Sequence, residues 1–220
     1  MILAAYDEAG TIEQIVHGCR EHTPNLHEII VVDDGSKDET ARLAERAGAR
    51  VIRLSRNGGK GVAIRRGIAE ASGDILLFMD ADGQDDPREI PLLLEAFAPD
   101  VDMVVGSRFL GRFGNGAITP LNRLGNQGLT EVVNLLFGAR LTDTQAGFRA
   151  VRKAAAERAR LTATRYDIEV DLLLSVLRSG GRVVDVPVTR MRRSHGASHL
   201  DSFRDGTRIL IRILRKRFDV

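Results

Sequence analysis

The chain has 220 residues, 43% of them hydrophobic and 28% charged, which fits one large globular domain with a substantial core rather than a disordered chain. A formal net charge of +2 excludes a globally basic nucleic-acid binder, and the single cysteine, Cys19, excludes an internal disulfide framework and fits a reducing compartment. No apolar run reaches 18 residues, so no transmembrane helix is expected, and the N-terminus opens at once on a strand without a signal peptide, so a cytoplasmic protein is expected.

Taken in order, Ile2 to Ala5 reads as a short strand and Tyr6 to Gly10 as a loop. Thr11 with Gln14 reads as a capping box, followed by a helical stripe of Ile12, Ile15, Val16 and Cys19. Ile29 to Val32 is a buried strand that ends at Asp33-Asp34-Gly35-Ser36; Ser36 with Glu39 reads as a second capping box, for a helix to about Ala47. Val51 to Leu54 is a third strand. Asn57-Gly-Gly-Lys-Gly61 leads into a helix reaching about Ala71.

Ile75-Leu-Leu-Phe-Met is an uncharged run, as in a strand covered on both faces, and it runs straight into Asp80-Ala-Asp82. Pro87 stands at a helix N1 position behind Asp86. Met103 to Val105 is a fifth strand, and the glycine-bearing stretch from Phe109 to Pro120 reads as a mobile loop. A helix from about Leu121 to Phe137, another from Tyr166 to Arg178, a strand from Val183 to Val188 and a terminal amphipathic helix from Ser202 complete the chain. The alternation of strands and helices predicts an α/β fold, doubly wound on a mostly parallel sheet with right-handed crossovers.

The chemistry gathers at strand ends, where open α/β sheets bind ligands. A carboxylate is costly to desolvate without a partner, so Asp80 and Asp82 at the end of a buried strand suggest a held cation. Hard oxygen donors favour Mg²⁺ or Mn²⁺. The alternative is a turn that caps the next helix. Asp33 and Asp34 end a second strand and can face the same cleft, accepting hydrogen bonds from a base or ribose. Gly58-Gly59-Lys60-Gly61 lacks P-loop spacing, because Val62 stands where Ser or Thr is needed; a flexible turn and a nucleotide contact both remain open for it. No G-x-G-x-x-G follows the first strand, which disfavours a nicotinamide enzyme. His195 and His199 have no third ligand at zinc spacing.

Seven blocks then stand in order along the chain: Ala5-Tyr-Asp-Glu8, Val32-Asp-Asp-Gly-Ser36, Asn57-Gly-Gly-Lys-Gly61, Asp80-Ala-Asp-Gly-Gln84 with Pro87, Gly106-Ser-Arg108, Asp143-Thr-Gln-Ala-Gly-Phe-Arg149 and Arg193-Ser-His-Gly-Ala-Ser198. With them the chain resembles the family 2 glycosyltransferases of GT-A fold, and among these the dolichyl- and polyprenyl-phosphate mannose synthases. Ala4, Asp7 and His199 stand where that family usually carries Pro, Asn and Lys. The resemblance implies a GT-A catalytic domain over residues 1–201 and a basic amphipathic helix over 202–220. It implies a nucleotide-sugar site formed by Ala5, Tyr6, Glu8, Val32, Asp33, Asp34, Lys60, Asp80, Ala81, Asp82, Gln84 and Arg193. Asp80, Asp82 and Gln84 would hold Mg²⁺ or Mn²⁺ on the donor diphosphate. Arg108, Arg123 and Ser198 would grip an acceptor phosphate, and Asp82, Arg108, Asp143, Gln145 and Arg193 would be catalytic. Glu169 and Asp171 are secondary acidic candidates, for which capping or surface charge is an equal reading.

The implied reaction is inverting, metal-dependent transfer of a hexose, mannose favoured, from a nucleoside-diphosphate sugar (GDP-mannose favoured) to a polyprenyl or dolichyl phosphate. A phosphate acceptor with a second pKa near ~6 is already largely dianionic, so it needs arginines and positioning more than a general base. The last helix carries Arg204, Arg208, Arg212, Arg215, Lys216 and Arg217 against Phe203, Leu210, Ile211, Leu214 and Phe218. It fits a membrane interface, peripheral on the cytoplasmic face and with room for a separate membrane-anchoring partner; packing on the domain or a dimer contact is the other reading. The competing functions are a UDP-glucose-dependent enzyme, a transferase acting on a saccharide or small phosphorylated metabolite, a nucleotidyltransferase, and an inactive sugar-nucleotide sensor. A nucleotidyltransferase would need a triphosphate-binding glycine loop near the first strand, which Tyr6-Asp7-Glu8 does not supply.

Overall fold

The structure, a computed structural model, describes residues 1–193 and 201–218. Its centre is a seven-stranded sheet formed by strands β1 (Ile2–Ala5), β2 (Ile30–Asp33), β3 (Arg50–Arg53), β4 (Ile75–Asp80), β5 (Val101–Phe113), β6 (Arg149–Arg152) and β7 (Arg182–Arg190), in the order β3-β2-β1-β4-β6-β5-β7. β1, β2, β3 and β4 pair in parallel, as do β5 and β7. β6 runs antiparallel between β4 and β5.

Side chains alternate across a strand, and here each face meets its own helical layer. Ile2, Phe78 and Met103 enter one core with helices α3 (Lys60–Glu70), α5 (Pro120–Phe137), α6 (Lys153–Arg158), α7 (Ile168–Arg178) and α8 (Ser202–Phe218). Leu3, Met79 and Val104 enter the other with α1 (Ile12–His22), α2 (Thr40–Arg46) and α4 (Ile90–Glu95). The uncharged strand runs follow from this double covering.

Three local expectations are corrected. Residues 109–113 are not loop but the tail of β5, paired with β7 at Arg112↔Thr189 and Phe113↔Arg190 after a register shift. Gly111 permits that pairing, because a Cβ there would collide with the Val188 backbone. Neither capping box forms. Thr11 Oγ1 instead donates to Ala81 O (2.6 Å), tying the loop after β1 to the acidic end of β4, and Ser36 Oγ accepts from Asp7 N (3.0 Å). The short β6 and α6, unread in the sequence, occupy residues 149–158. Pro87 does open a helical turn, with Asp86 accepting from Arg88 N (3.0 Å).

The terminal helix packs on the domain. Ile209 and Ile213 are buried in the same core as α5 and α7. Arg212 and Lys216, one turn apart, reach the buried Asp167, the N-cap of α7, and the buried Asp171 within it, each at 2.8 Å. Because Ile213 is fully buried, Ile213→Ala should destabilise the chain by about 2–5 kcal/mol, read as a lower urea midpoint at unchanged slope.

Candidate active site

The register of the sheet brings the acids together. Ala5 lies opposite Asp33 and Ala4 opposite Asp80, so β1, β2 and β4 release their polar residues at one edge. A cavity of about 480 Å³ opens there. Of the residues expected at the site, Ala5, Tyr6, Glu8, Asp34, Lys60, Asp80, Ala81, Asp82, Gln84, Arg108, Gln145 and Arg193 line it.

The acidic pair is wrapped in cations. Lys60, first residue of α3, places Nζ 2.5 Å from Asp80 Oδ1 and 2.6 Å from Glu169 Oε1. Arg190 Nη2 stands 3.6 Å from Asp80 Oδ2 and 3.5 Å from Asp82 Oδ2, while its Nη1 bonds Asp85 at 2.7 Å. Arg193 bridges Asp82 (2.9 Å) and Glu8 (3.1 Å). Burial works against the Asp80 carboxylate, but Lys60 and Arg190 overcome it and hold Asp80 well below the ordinary carboxylate range. Burial likewise opposes the charge on Lys60, and Asp80 and Glu169 more than offset it. Glu8 is pushed up to about 7 by burial, which the nearby Arg193 only partly counters.

The glycine loop is built for this arrangement. Asp34 accepts from the N–H groups of Gly58 (2.8 Å) and Gly59 (2.7 Å), and Gly59 takes φ +95 before α3, a conformation that suits glycine. Gly147 faces the same ion pair. A Cβ on it would lie 2.9 Å from Asp80 Oδ1 and 3.1 Å from Lys60 Nζ.

Other expected residues sit apart from the cavity wall. Val32 is buried in the core. Asp33 accepts from Ser36 N (3.0 Å) and turns the chain. Asp143 is fully buried behind Arg108, binding its Nε at 2.6 Å and Nη2 at 2.9 Å. Arg123 is exposed and lies over the Phe113 ring, 5.5 Å from its centroid. Gln84 does line the cavity, and its side chain bonds Arg190 (3.0 Å) and Met191 O (2.9 Å). Asp171 accepts from the Thr162 and Ala163 N–H groups and does not line the cavity. Ser198, His195 and His199 lie outside the described residues.

Arg190, Asn126, Tyr166 and Ile209 also line the cavity and were not read from the sequence. Arg190 had a signal: a charged residue at the carboxyl end of an apolar parallel strand, as with Asp80. Ile209 had none, since its place depends on how α8 docks. As for a metal, Asp80 and Asp82 are hard oxygen donors that one cationic centre, the Arg190 guanidinium, already faces together. Among the described residues no set of three or more His, Cys, Asp or Glu is arranged to hold an ion unaided, so an ion here would draw further ligands from its substrate, as Mg²⁺ commonly does.

The family 2 glycosyl transferase model matches residues 1–160. The chain belongs to glycosyl transferase family 2. This glycosyltransferase is 29% identical to glycosyltransferase AglJ of Haloferax volcanii over 218 residues, spanning 98% of this chain and 71% of that one. It is 31% identical to the polyprenol monophosphomannose synthase of Mycolicibacterium smegmatis over 221 residues, 91% of this chain and 80% of the relative. Among solved structures, glucosyl-3-phosphoglycerate synthase from Mycobacterium tuberculosis, crystallised with Mn²⁺, UDP and glucosyl-3-phosphoglycerate, matches with a TM-score of 0.78 at 24% identity, covering 98% of this chain and 78% of that one. That likeness establishes the GT-A fold for the glycosyltransferase.

In the glycosyltransferase, Asp143 makes two of its hydrogen bonds to the guanidinium of Arg108, which lines the cavity. Asp143→Asn should leave the fold intact by thermal melt, loosen Arg108, and raise KM for an anionic acceptor about tenfold while KM for the donor hardly moves, as loss of a charge-assisted hydrogen bond predicts.

Proposed function

We propose that the chain is an inverting, divalent-metal-dependent hexosyltransferase that moves a sugar, mannose first, from a nucleoside diphosphate to a polyprenyl phosphate. The observation that carries this reading is the acidic edge at Asp80 and Asp82. Asp80 and Asp82 stand together there, both within 3.6 Å of the Arg190 guanidinium, in a cavity whose lining also carries Glu8, Asp34 and Glu169 and the cations Lys60, Arg108, Arg165 and Arg193. The paired carboxylates would by themselves repel a diphosphate. A Mg²⁺ or Mn²⁺ ion held by Asp80 and Asp82 would reverse that repulsion and stabilise charge growing on the leaving nucleotide.

The chain's own residues supply the rest. Tyr6 and Glu8 line the β1 side of the cavity and are placed to meet the nucleoside. Arg193, held between Glu8 and Asp82, presents charge beside the diphosphate. Arg108, oriented by Asp143, grips the acceptor phosphate and turns one of its oxygens toward the anomeric carbon. That oxygen forms the new bond on the face opposite the departing nucleotide, and the bond electrons leave with the diphosphate. A dianionic phosphate needs no proton removed. The polyprenol monophosphomannose synthase relative supports the lipid acceptor and the mannose.

The test is purified full chain with GDP-mannose and a polyprenyl phosphate, alongside UDP-glucose and 3-phosphoglycerate as alternative substrates. Transfer should need Mn²⁺ or Mg²⁺, and Asp82→Ala should lower it on the order of 100-fold. Undiminished transfer by that variant in chelator would remove the proposed role of the acidic pair.

A peripheral membrane position is supported by exposed apolar side chains on two touching helices. Leu121, Leu124 and Leu135 of α5 are 71%, 71% and 84% exposed, and Phe203, Ile211, Leu214 and Phe218 of α8 are exposed too. The two helices touch, both reach the cavity wall through Asn126 and Ile209, and α8 also exposes Arg204, Arg208, Arg215 and Arg217. Apolar side chains beside cations suit an anionic lipid interface. No helix among the described residues is long and apolar enough to cross a membrane. Leu124→Glu with Leu135→Glu should abolish flotation with anionic vesicles while transfer to a short, water-soluble prenyl phosphate persists; equal flotation would count against this surface.

A further inference from the structure

One carboxylate of the cavity has an unused oxygen. Glu169 gives Oε1 to Lys60 at 2.6 Å, but its buried Oε2 has no hydrogen-bond partner among the described residues. The residue is only 7% exposed and lines the cavity with Gln145 and Tyr166. Gln145 repeats the pattern: Nε2 donates to Thr144 Oγ1 at 2.8 Å, while the buried Oε1 is unpartnered. Buried acceptors without donors are rare and costly, and two of them line one cavity beside Asp80.

The chemistry of the missing partner follows. It must bring O–H or N–H donors. A diphosphate offers acceptors only and would be repelled by Glu169. A hexose ring offers hydroxyls on several carbons, and it must lie next to the diphosphate to which it is bonded. Lys60 fixes this relation, because the same ammonium holds Asp80 on the diphosphate side and Glu169 beyond it.

We propose that Glu169, with Gln145 beside it, accepts hydrogen bonds from hydroxyls of the donor hexose and so decides which sugar is taken. This rests on the nucleotide-sugar reading above. Lys60 is the positioning residue of the pair. A site built to bond a hydroxyl rejects an analogue that lacks it, because its own polar group is then left unpaired. The competing account is a water. A void of about 20 Å³ lies behind Lys60, Arg149 and Glu169, room for one such molecule.

The experiment is calorimetric titration of the full chain in Mn²⁺ with GDP and GDP-mannose, and with UDP and UDP-glucose. The quantity read is the affinity of each sugar nucleotide relative to its bare nucleotide. Glu169→Gln should lower that ratio about tenfold or more, the effect of one charge-assisted hydrogen bond, and leave the bare nucleotide's Kd unchanged. Gln145→Ala should lower it in the same direction with the Lys60–Glu169 pair intact, so the test survives if the first variant folds poorly. Donors lacking a single sugar hydroxyl should identify the bonded one: its removal weakens binding to the wild type and adds little in Glu169→Gln. An unchanged ratio in both variants overturns the proposal, as does parallel weakening of bare nucleotide and sugar nucleotide. Failure of the wild type to bind GDP or UDP at all overturns instead the donor reading beneath it.

Discussion

Lys60 is the interaction on which the arrangement depends. Its ammonium is enclosed between Asp80 and Glu169, so one charge at the start of α3 joins the end of β4 to the first turn of α7. Burying ions is expensive, and removing one member of such a set leaves the others uncompensated. The sheet edge, the glycine loop and α7 therefore keep their relative positions as a unit. Asp80 stays ionised in a buried place because Lys60 and Arg190 face it.

That unit explains the small residues around it. Gly61 and Gly59 bring the start of α3 against the backbone of residues 163–164, where a Cβ on Gly61 would lie 2.6 Å from Ala163 O. Gly61 N donates to Thr164 O at 3.0 Å, and Asp171 accepts from Thr162 and Ala163 N–H groups on the other side of the same segment. Bulk at any of these glycines would push Lys60 out of register with its two carboxylates. The glycines that resemble a phosphate loop serve in this structure to pack backbone on backbone.

The strand that ends in Asp80 and Asp82 was legible because both of its faces are covered, which leaves an uncharged run with an abrupt acidic stop. Asp86 before Pro87 was legible for a local reason too, since a cap and its N–H groups lie within one turn. Thr11 and Ser36 misled because a hydroxyl can satisfy its own helix or a distant strand; Thr11 chose Ala81, 70 residues away. β6 and α6 are too short to show a period. Their places depend on pairing with β4 and β5. Asp143 reads as an acid near the chemistry, yet its position behind Arg108 follows from contacts across 35 residues. Glu169 acquires its meaning through Lys60, a neighbour that no spacing rule connects to it.

The terminal helix shows how one amphipathic pattern can serve two surfaces. Its basic residues look alike in sequence, but they divide by partner. Arg212 and Lys216 are consumed by Asp167 and Asp171 at the start of α7, whereas Arg215 and Arg217 remain exposed. Its apolar residues divide likewise, with Ile209 and Ile213 buried and Phe203, Ile211 and Leu214 outside. Two of the three carboxylates near the start of α7 are thus held by α8, and the third, Glu169, by Lys60. Because Ile209 is also a wall of the cavity, α8 belongs to the active site, and any surface that engages its outer face bears directly on the element that keeps Glu169 in place.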